Sequence, residues 1–283
     1  MSSAVVVSDL RKSYGDLEAL RGASFEIAAG EIFGLLGPNG AGKTTTVEIL
    51  EGYRERDGGS VTVLGEDPAR AGQRWRESIG VVLQSSAMYQ SLSVAESLEL
   101  FAGYYKQPRG IDEVVQLVGL EAKRDVHVRK LSGGQKRRLD LGLALVGDPE
   151  LLFLDEPTTG FDPQARRRAW ESIIALRALG KTILLTTHYL DEAERLCDRV
   201  AVLSDGQIVA MGRPGELTGA LPPTEIRYRR DGQEVVLRSE EPTRALHELT
   251  AQALAEGREL EALEVRRPSL EEVYLSLTDE AAE

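Results

Sequence analysis

The sequence predicts an α/β protein with a largely parallel core sheet and a small α+β appendage at its C-terminal end. Three features carry that reading. Short β-rich runs alternate with helical patterns through most of the chain. A Gly-rich turn ending in Gly42-Lys43-Thr44 joins an apolar run to a helical stretch. The composition then shifts near Gly219 to Pro223, after which a second, shorter series of strand and helix patterns begins.

The first strands are expected at Ala4–Val7, Leu20–Ile27 and Glu31–Leu36, with a helix starting at Lys43 after the Gly-rich turn. Val61–Leu64 and Ile79–Leu83 read as further strands. From Ser93 to about Gly119 the apolar residues Val94, Leu98, Leu100, Phe101, Val114, Val115 and Val118 fall at helical spacing and interrupt the strand-rich frame. Another helix follows Ser132, then a strand over Leu151–Asp155. Helix Pro163–Leu179 starts on a proline at a favourable first-turn position. Strand Thr182–Thr186, helix Leu190–Leu196, and strands Val200–Leu203 and Gln207–Ala210 complete the large part, taken as residues 1–220 with a helical subdomain at about 85–145. In the appendage, 221–283, strands are expected at Glu225–Arg229, Glu234–Arg238 and Glu259–Val265. Helices are expected around Thr243–Glu256 and from Ser269 to Leu277.

With 42% hydrophobic and 28% charged residues, the chain can bury a sizeable core and solvate its surface. Its net charge of −12 disfavours broad electrostatic capture of nucleic acid, and Arg166-Arg167-Arg168 reads as a solvated helix face. The single cysteine, Cys197, precludes an intrachain disulfide and reads as core packing beside a helix end. The N-terminal residues lack a signal-peptide pattern, and no apolar run approaches the roughly 20 residues that span a bilayer as a helix. Work at a membrane would therefore need a partner that supplies the spanning helices.

The chemistry is concentrated in two places. Gly37-Pro38-Asn39-Gly40-Ala41-Gly42-Lys43-Thr44 satisfies G-x-x-x-x-G-K-[ST]. Such a loop turns several N–H groups toward one anion, and the following helix N-terminus adds positive potential. Lys43 can neutralise the β- and γ-phosphates, and the Thr44 hydroxyl is the expected Mg²⁺ ligand. Leu151-Leu152-Phe153-Leu154-Asp155 then delivers a carboxylate to the carboxyl edge of a buried sheet. Asp155 is expected to hold Mg²⁺ through water, while Glu156, on the diverging side, can face an attacking water. A bland reading, a strand capped by two exposed acids, is disfavoured by the phosphate loop upstream.

Leu131-Ser132-Gly133-Gly134-Gln135 resembles the signature motif of ABC-type ATPases, and its spacing to Asp155 resembles that family too. Locally, Ser132 can cap the next helix while Gly133 and Gly134 present N–H groups. The resemblance extends through nearly the whole chain and implies an ABC-type P-loop NTPase core with antiparallel β and helical subdomains. It implies nucleotide contacts from Gly37 through Thr44 and Thr45, and from Ser132, Gly133, Gly134 and Gln135. Tyr14 sits where the family stacks an aromatic on adenine. Gln84 sits where a glutamine joins the Mg²⁺ shell and reports nucleotide state. Asp162 lies in a segment, Thr158 to Asp162, that resembles the D-loop, although Phe161 stands where many members have leucine. His188 resembles the switch histidine near the γ-phosphate, and Glu156 the catalytic glutamate, acting with Lys43.

The same resemblance implies MgATP as substrate and a head-to-tail pair of identical copies that sandwiches ATP. It also implies a separate transmembrane permease subunit as partner, with the chain at the cytoplasmic face of the membrane. Three readings remain: exporter motor, importer motor, and a soluble ATPase acting on nucleic acid or ribosomes. The acidic composition and the single motif set disfavour the last. Arg267-Pro268-Ser269-Leu270-Glu271-Glu272-Val273-Tyr274-Leu275 resembles the C-terminal signature of the daunorubicin/doxorubicin-resistance exporter ATPases, and Thr158-Thr159-Gly160-Phe161-Asp162-Pro163 and Leu143-Ala144-Leu145-Val146-Gly147 resemble that group as well. That favours the exporter.

Overall fold

The computed structural model describes residues 2–83, 88–219, 224–230 and 233–266. The chain divides into two compact units, residues 1–213 and 214–283. The division falls a little before the composition shift at Gly219 to Pro223.

In the first unit, β1 (Ser3–Tyr14) pairs antiparallel with β2 (Leu17–Ala28). Val5, Val7 and Leu10 of β1 are buried, as are Leu20, Ala23, Phe25 and Ile27 of β2. These positions largely follow the two-residue period of a half-buried sheet, which slips where the β1–β2 register shifts, as between Val7 and Leu10. Next come β3 (Ile32–Leu36), α1 (Lys43–Leu50) and β4 (Gly58–Val63), with β4 closing a three-stranded sheet on the far side of β1. The short α2 (Gln73–Glu77) buries Trp75, whose indole Nε1 donates to the Val63 carbonyl at 2.8 Å.

The main sheet takes β3 together with β5 (Ile79–Val82), β6 (Leu151–Asp155), β7 (Thr182–Thr187), β8 (Arg199–Ser204) and β9 (Gln207–Gly212). Its six strands run in the order β5-β6-β7-β3-β8-β9, all parallel except the edge strand β9. Every residue of β3 and β7 is buried, which is why neither segment alternates apolar with polar side chains, and the three threonines of β7 are buried with the rest. Phe25 of β2 stacks on Phe33 of β3 with ring centroids 5.6 Å apart, joining the two sheets in one core.

Three helices form the block between β5 and β6: α3 (Val94–Ala102), α4 (Ile111–Leu117) and α5 (Gly133–Leu145). They pack on one another through Leu98, Val114, Val118 and Leu139, all fully buried. Ser93 and Glu96 make a capping box that fixes the start of α3. Outside the block, α6 (Pro163–Ala178) follows β6 and α7 (Leu190–Leu196) follows β7. Cys197 ends α7 and is buried, its Sγ lying where a side chain at Gly34 would otherwise stand; burial pushes its thiol pKa well up. Arg167 and Arg168 are exposed on α6, whereas the Arg166 guanidinium lies 4.4 Å from the Tyr189 ring centroid.

The second unit contains α8 (Pro214–Gly219), β10 (Thr224–Arg230), β11 (Gln233–Ser239), α9 (Pro242–Ala255) and β12 (Glu261–Arg266). Its antiparallel sheet has the order β11-β10-β12, and α9 packs against it over Ile226 and Tyr228. The helix expected from Ser269 and the motif Arg267 to Leu275 lie outside the described residues.

Candidate active site

Strand register brings the expected site residues to one edge. Leu36 of β3 lies beside Thr187 of β7, and Thr186 beside Asp155 of β6. The phosphate loop, the acid pair and His188 therefore leave adjacent strands at the same level, at the carboxyl ends where ligands of open α/β sheets bind.

The loop is shaped by its glycines. A Cβ at Gly37 would stand 2.4 Å from the Leu203 carbonyl oxygen. Gly42, at φ 104°, would place one 2.6 Å from the Ala19 carbonyl oxygen. No side chain fits at either position without moving main chain. Lys43 opens α1 and is buried; its Nζ donates to the carbonyls of Gly37 at 2.7 Å and Pro38 at 3.1 Å. Burial lowers its pKa, while the nearby charges of Glu156 and Asp155 pull the other way. The cation is thus held inside the loop, facing the acids across the sheet edge. Pro38, Asn39, Gly40 and Thr44 are exposed, Ala41 is buried and Thr45 is half-buried. The Tyr14 hydroxyl lies 3.5 Å from Thr45 Oγ1, so the candidate adenine platform does stand beside this helix. Two cations attend its ring, Arg54 at 5.2 Å and Lys12 at 5.7 Å from the centroid.

Glu156 is the first residue past β6 and has φ 45°, in the left-handed region that non-glycine residues rarely adopt. Its N–H donates to Thr186 Oγ1 at 3.0 Å and to the Thr186 carbonyl at 3.2 Å. The Thr186 hydroxyl in turn donates to Asp155 Oδ1. One buried hydroxyl on β7 thus holds the Asp155 carboxylate and the Glu156 main chain at the end of β6. The Glu156 carboxylate lies 3.1 Å from His188 Nδ1 through Oε1 and accepts from Thr159 Oγ1 at 3.2 Å through Oε2. Sequence reasoning missed Thr186, because a threonine inside an apolar strand gives no signal until the neighbouring strand is in register.

Ser132 is the N-cap of α5, as expected, and Gln135 completes a reciprocal box. Ser132 Oγ accepts from the Gln135 N–H at 3.3 Å, and Gln135 Oε1 accepts from the Ser132 N–H at 2.9 Å. Asp162 caps α6 in the same manner, accepting from Gln164 N at 2.9 Å and Ala165 N at 2.8 Å. Ser132, Gly133, Gly134 and Gln135 share one cavity with Glu156 and Asp162. Among the described residues lining that cavity, none belongs to the phosphate loop. Gln84 lies outside the described residues.

A further carboxyl, Glu51 at the end of α1, is held up at about 8 by burial, with Asp155 and Glu48 adding repulsion. Among the described residues no group of three or more histidines, cysteines or acids gathers to hold a metal on its own. Thr44 and Asp155, the two oxygen donors expected at a Mg²⁺, stand at the start of α1 and the end of β6.

A glycine-shaped phosphate loop, two acids at the end of the buried strand β6 and a Ser-Gly-Gly-Gln helix cap together define an ABC-type ATPase. Comparison with known proteins agrees. Residues 20–159 match the ABC transporter family model, and residues 213–269 match that of the ABC transporter domain-containing protein-like C-terminal domain. The chain is 42% identical over 300 residues to a Nod factor export ATP-binding protein I from Rhizobium sp. (strain N33), covering 97% of each protein. A solved ATP-binding subunit of an ABC transporter superposes with a TM-score of 0.71 at 25% identity, covering 97% of this chain and 99% of that one. Also similar is cbiO1 from Clostridium perfringens, part of the ABC transporter complex cbiONQ. It has a TM-score of 0.72 at 31% identity, over 78% of this chain and 92% of that one. The chain belongs to the ABC transporter family. It is the ATP-binding and ATP-hydrolysing subunit of an ABC exporter.

Proposed function

We propose that two copies of this chain sandwich two MgATP molecules, each between Lys43 of one copy and Ser132–Gln135 of the other. In this reading the pair drives a separate membrane subunit from the cytoplasmic face. The observation that carries the chemistry is the placement of the Glu156 carboxylate, held between His188 Nδ1 and Thr159 Oγ1 at the edge that carries the phosphate loop. Glu156 orients or deprotonates the water for in-line attack on the γ-phosphorus. Lys43 stabilises charge on the phosphate oxygens, and His188 fixes the glutamate and stands near the γ-phosphoryl group that passes to water as ADP leaves. Thr44, Asp155 and Gln84 would hold Mg²⁺, which when bound neutralises phosphate charge. Gly37 to Thr45 cradle the triphosphate and Tyr14 stacks on the base.

Pairing is supported by the cavity that joins the signature residues to Glu156 and Asp162 but takes no residue from the phosphate loop. In this reading a second copy supplies the signature motif that completes each nucleotide site. The partner membrane subunit follows from the family. Among the described residues no helix is long and apolar enough to cross a membrane. Residues 214–283 serve assembly or the fit to that subunit, not chemistry. The resemblance of Arg267 to Leu275 and of Leu143 to Gly147 supports a place among the daunorubicin/doxorubicin-resistance exporters. The cargo of the Rhizobium relatives, Nod factor, is a second candidate substrate, favoured by identity along nearly the whole chain.

The Glu156→Gln variant tests the reading. It is expected to bind MgATP, lose turnover and shift from monomer to dimer in size measurements when MgATP is added. Wild-type turnover, or no change of size with bound nucleotide, would refute it.

A further inference from the structure

Arg137, on the second turn of α5, makes a set of contacts that the signature motif does not explain. Its guanidinium Nη2 donates to the Asp155 carbonyl at 2.7 Å and the Glu156 carbonyl at 3.4 Å, and its Nε to the Pro157 carbonyl at 3.3 Å. Nη1 donates to the carbonyl of Leu83, the residue before Gln84. Three consecutive carbonyls of the turn that carries the acid pair, and one at the end of β5, therefore converge on one planar fork. Asp155 is the last residue of β6, and Glu156, Pro157 and Leu83 lie just past the ends of β6 and β5, where ladder bonds stop. The guanidinium is partly buried there. Burial lowers its pKa, against the charges of Asp140, Asp155 and Glu192.

The geometry has a direction. Thr186 fixes the acid pair from the β7 side, and Arg137 fixes the same turn from the α5 side. The turn includes Glu156 in its left-handed conformation, which costs of order 1–3 kcal/mol and persists only where neighbours over-determine it. The start of α5 is Ser132, held in its capping box. A shift of α5 that moved Ser132 would also pull on the carbonyls of Asp155, Glu156 and Pro157. Lysine cannot reproduce this, since a point charge on a flexible stem does not span four acceptors in a plane.

We infer that Arg137 is a positioning residue that couples the seating of the signature helix to the placement of Glu156, so that hydrolysis depends on where α5 sits. The inference rests on the assignment of Glu156 as the catalytic glutamate.

The test uses the full chain with MgATP and compares wild type, Arg137→Lys and Arg137→Met, each alone and in the Glu156→Gln background. Measured quantities are nucleotide affinity, kcat, KM and the urea midpoint. Both single variants are expected to bind ATP within about twofold of wild type. Their kcat should fall between about ten- and a hundred-fold, less for lysine than for methionine, because a displacement near 1 Å costs that much. In the Glu156→Gln background the same substitutions should lower the residual turnover less than twofold, because the carboxylate they position is already gone. The inference is overturned if the fall in kcat is equal in both backgrounds, or if KM rises with kcat unchanged. It is also overturned if the loss only tracks the folded fraction given by the urea midpoint. Should the methionine variant not fold, the lysine variant carries the same comparison. A Glu156→Gln protein with wild-type turnover would instead remove the catalytic assignment itself, an outcome separate from any result with Arg137.

Discussion

Thr186 offers the most quantitative handle on the acid pair. Replacing it with valine keeps the branched shape in a fully buried position but removes a hydroxyl that is used twice, as donor to Asp155 and as acceptor for the Glu156 N–H. The two losses are unequal. The Glu156 N–H keeps the Thr186 carbonyl at 3.2 Å and is not orphaned. The Asp155 carboxylate loses a donor, and a hydrogen bond to a charged acceptor contributes about 1.5–3 kcal/mol. Thr186→Val should therefore destabilise the chain by about 2 kcal/mol and lower turnover at saturating MgATP by between about ten- and a hundred-fold. Thr186→Ser should restore most of both. Urea unfolding gives the first quantity and phosphate release the second. A double-mutant cycle with Asp155→Asn isolates the pair, since a neutral acceptor takes a bond roughly half as strong. Equal destabilisation by Thr186→Val in both backgrounds, with turnover unchanged, would refute the claim that this hydroxyl organises the acids.

Lys43→Ala should weaken ATP binding at least tenfold, remove hydrolysis and leave the urea midpoint near or above wild type, because it deletes a buried cation; nucleotide titration and unfolding check both. Glu51 makes the stability of the nucleotide-free chain depend on pH. Its folded pKa of about 8 lies above the ordinary 4.5, so between these values the unfolded chain gives up a proton that the folded chain keeps. Stability should fall as pH rises through that window, and Glu51→Gln should remove roughly 2 to 4 kcal/mol of the fall when urea midpoints at pH 5 and pH 8.5 are compared. A chain ending at Arg213 should still bind ATP but transport poorly with its membrane subunit. Intact transport by the short chain would show that the second unit is dispensable.

What was legible in the sequence follows from how each element is stabilised. Buried strands such as Leu151–Asp155 announce themselves by unbroken apolar runs, and α6 by Asp162 before Pro163, a cap and a first-turn proline. Among what escaped, the far half of β1 and helix α2 depend on tertiary contacts. Strand β1 continues to Tyr14 through Ser8, Asp9, Arg11 and Lys12, polar residues held by pairing with β2 and by a bulge rather than by a buried face. Helix α2 is one turn long and rests on Trp75, whose partner is the Val63 carbonyl of another strand. The same division runs through the site. Lys43, Asp155, Glu156 and Ser132 sit in local patterns with a mechanism. Thr186 and Arg137 act across strand and helix neighbours, so only the register of β6 against β7 and the packing of α5 bring them in.

The caps also settle what the signature loop can offer a phosphate. The first four N–H groups of any helix lack partners within it. In α5 the third of the non-cap residues, Gln135, gives its N–H to Ser132 Oγ, and the Gln135 side chain returns to the Ser132 N–H. That reciprocal pair uses the two side chains of the motif that could have reached outward. It leaves the Gly133 and Gly134 N–H groups at the positive end of the helix, on residues without a side chain to cover them. Under the proposed function, recognition at this loop is by main chain and helix dipole, with Ser132 and Gln135 acting as the frame. Such donors need no reorganisation to meet an anion, which is how a preorganised site stabilises charge. Ser132→Ala should then weaken the loop chiefly by fraying the first turn, about 1 kcal/mol of helix stability. Ser132→Asp keeps the cap but sets a carboxylate where an anion must dock. Closure of the Glu156→Gln dimer by MgATP should survive the first substitution and fail with the second. Equal closure by both would show that the phosphate does not meet this helix end.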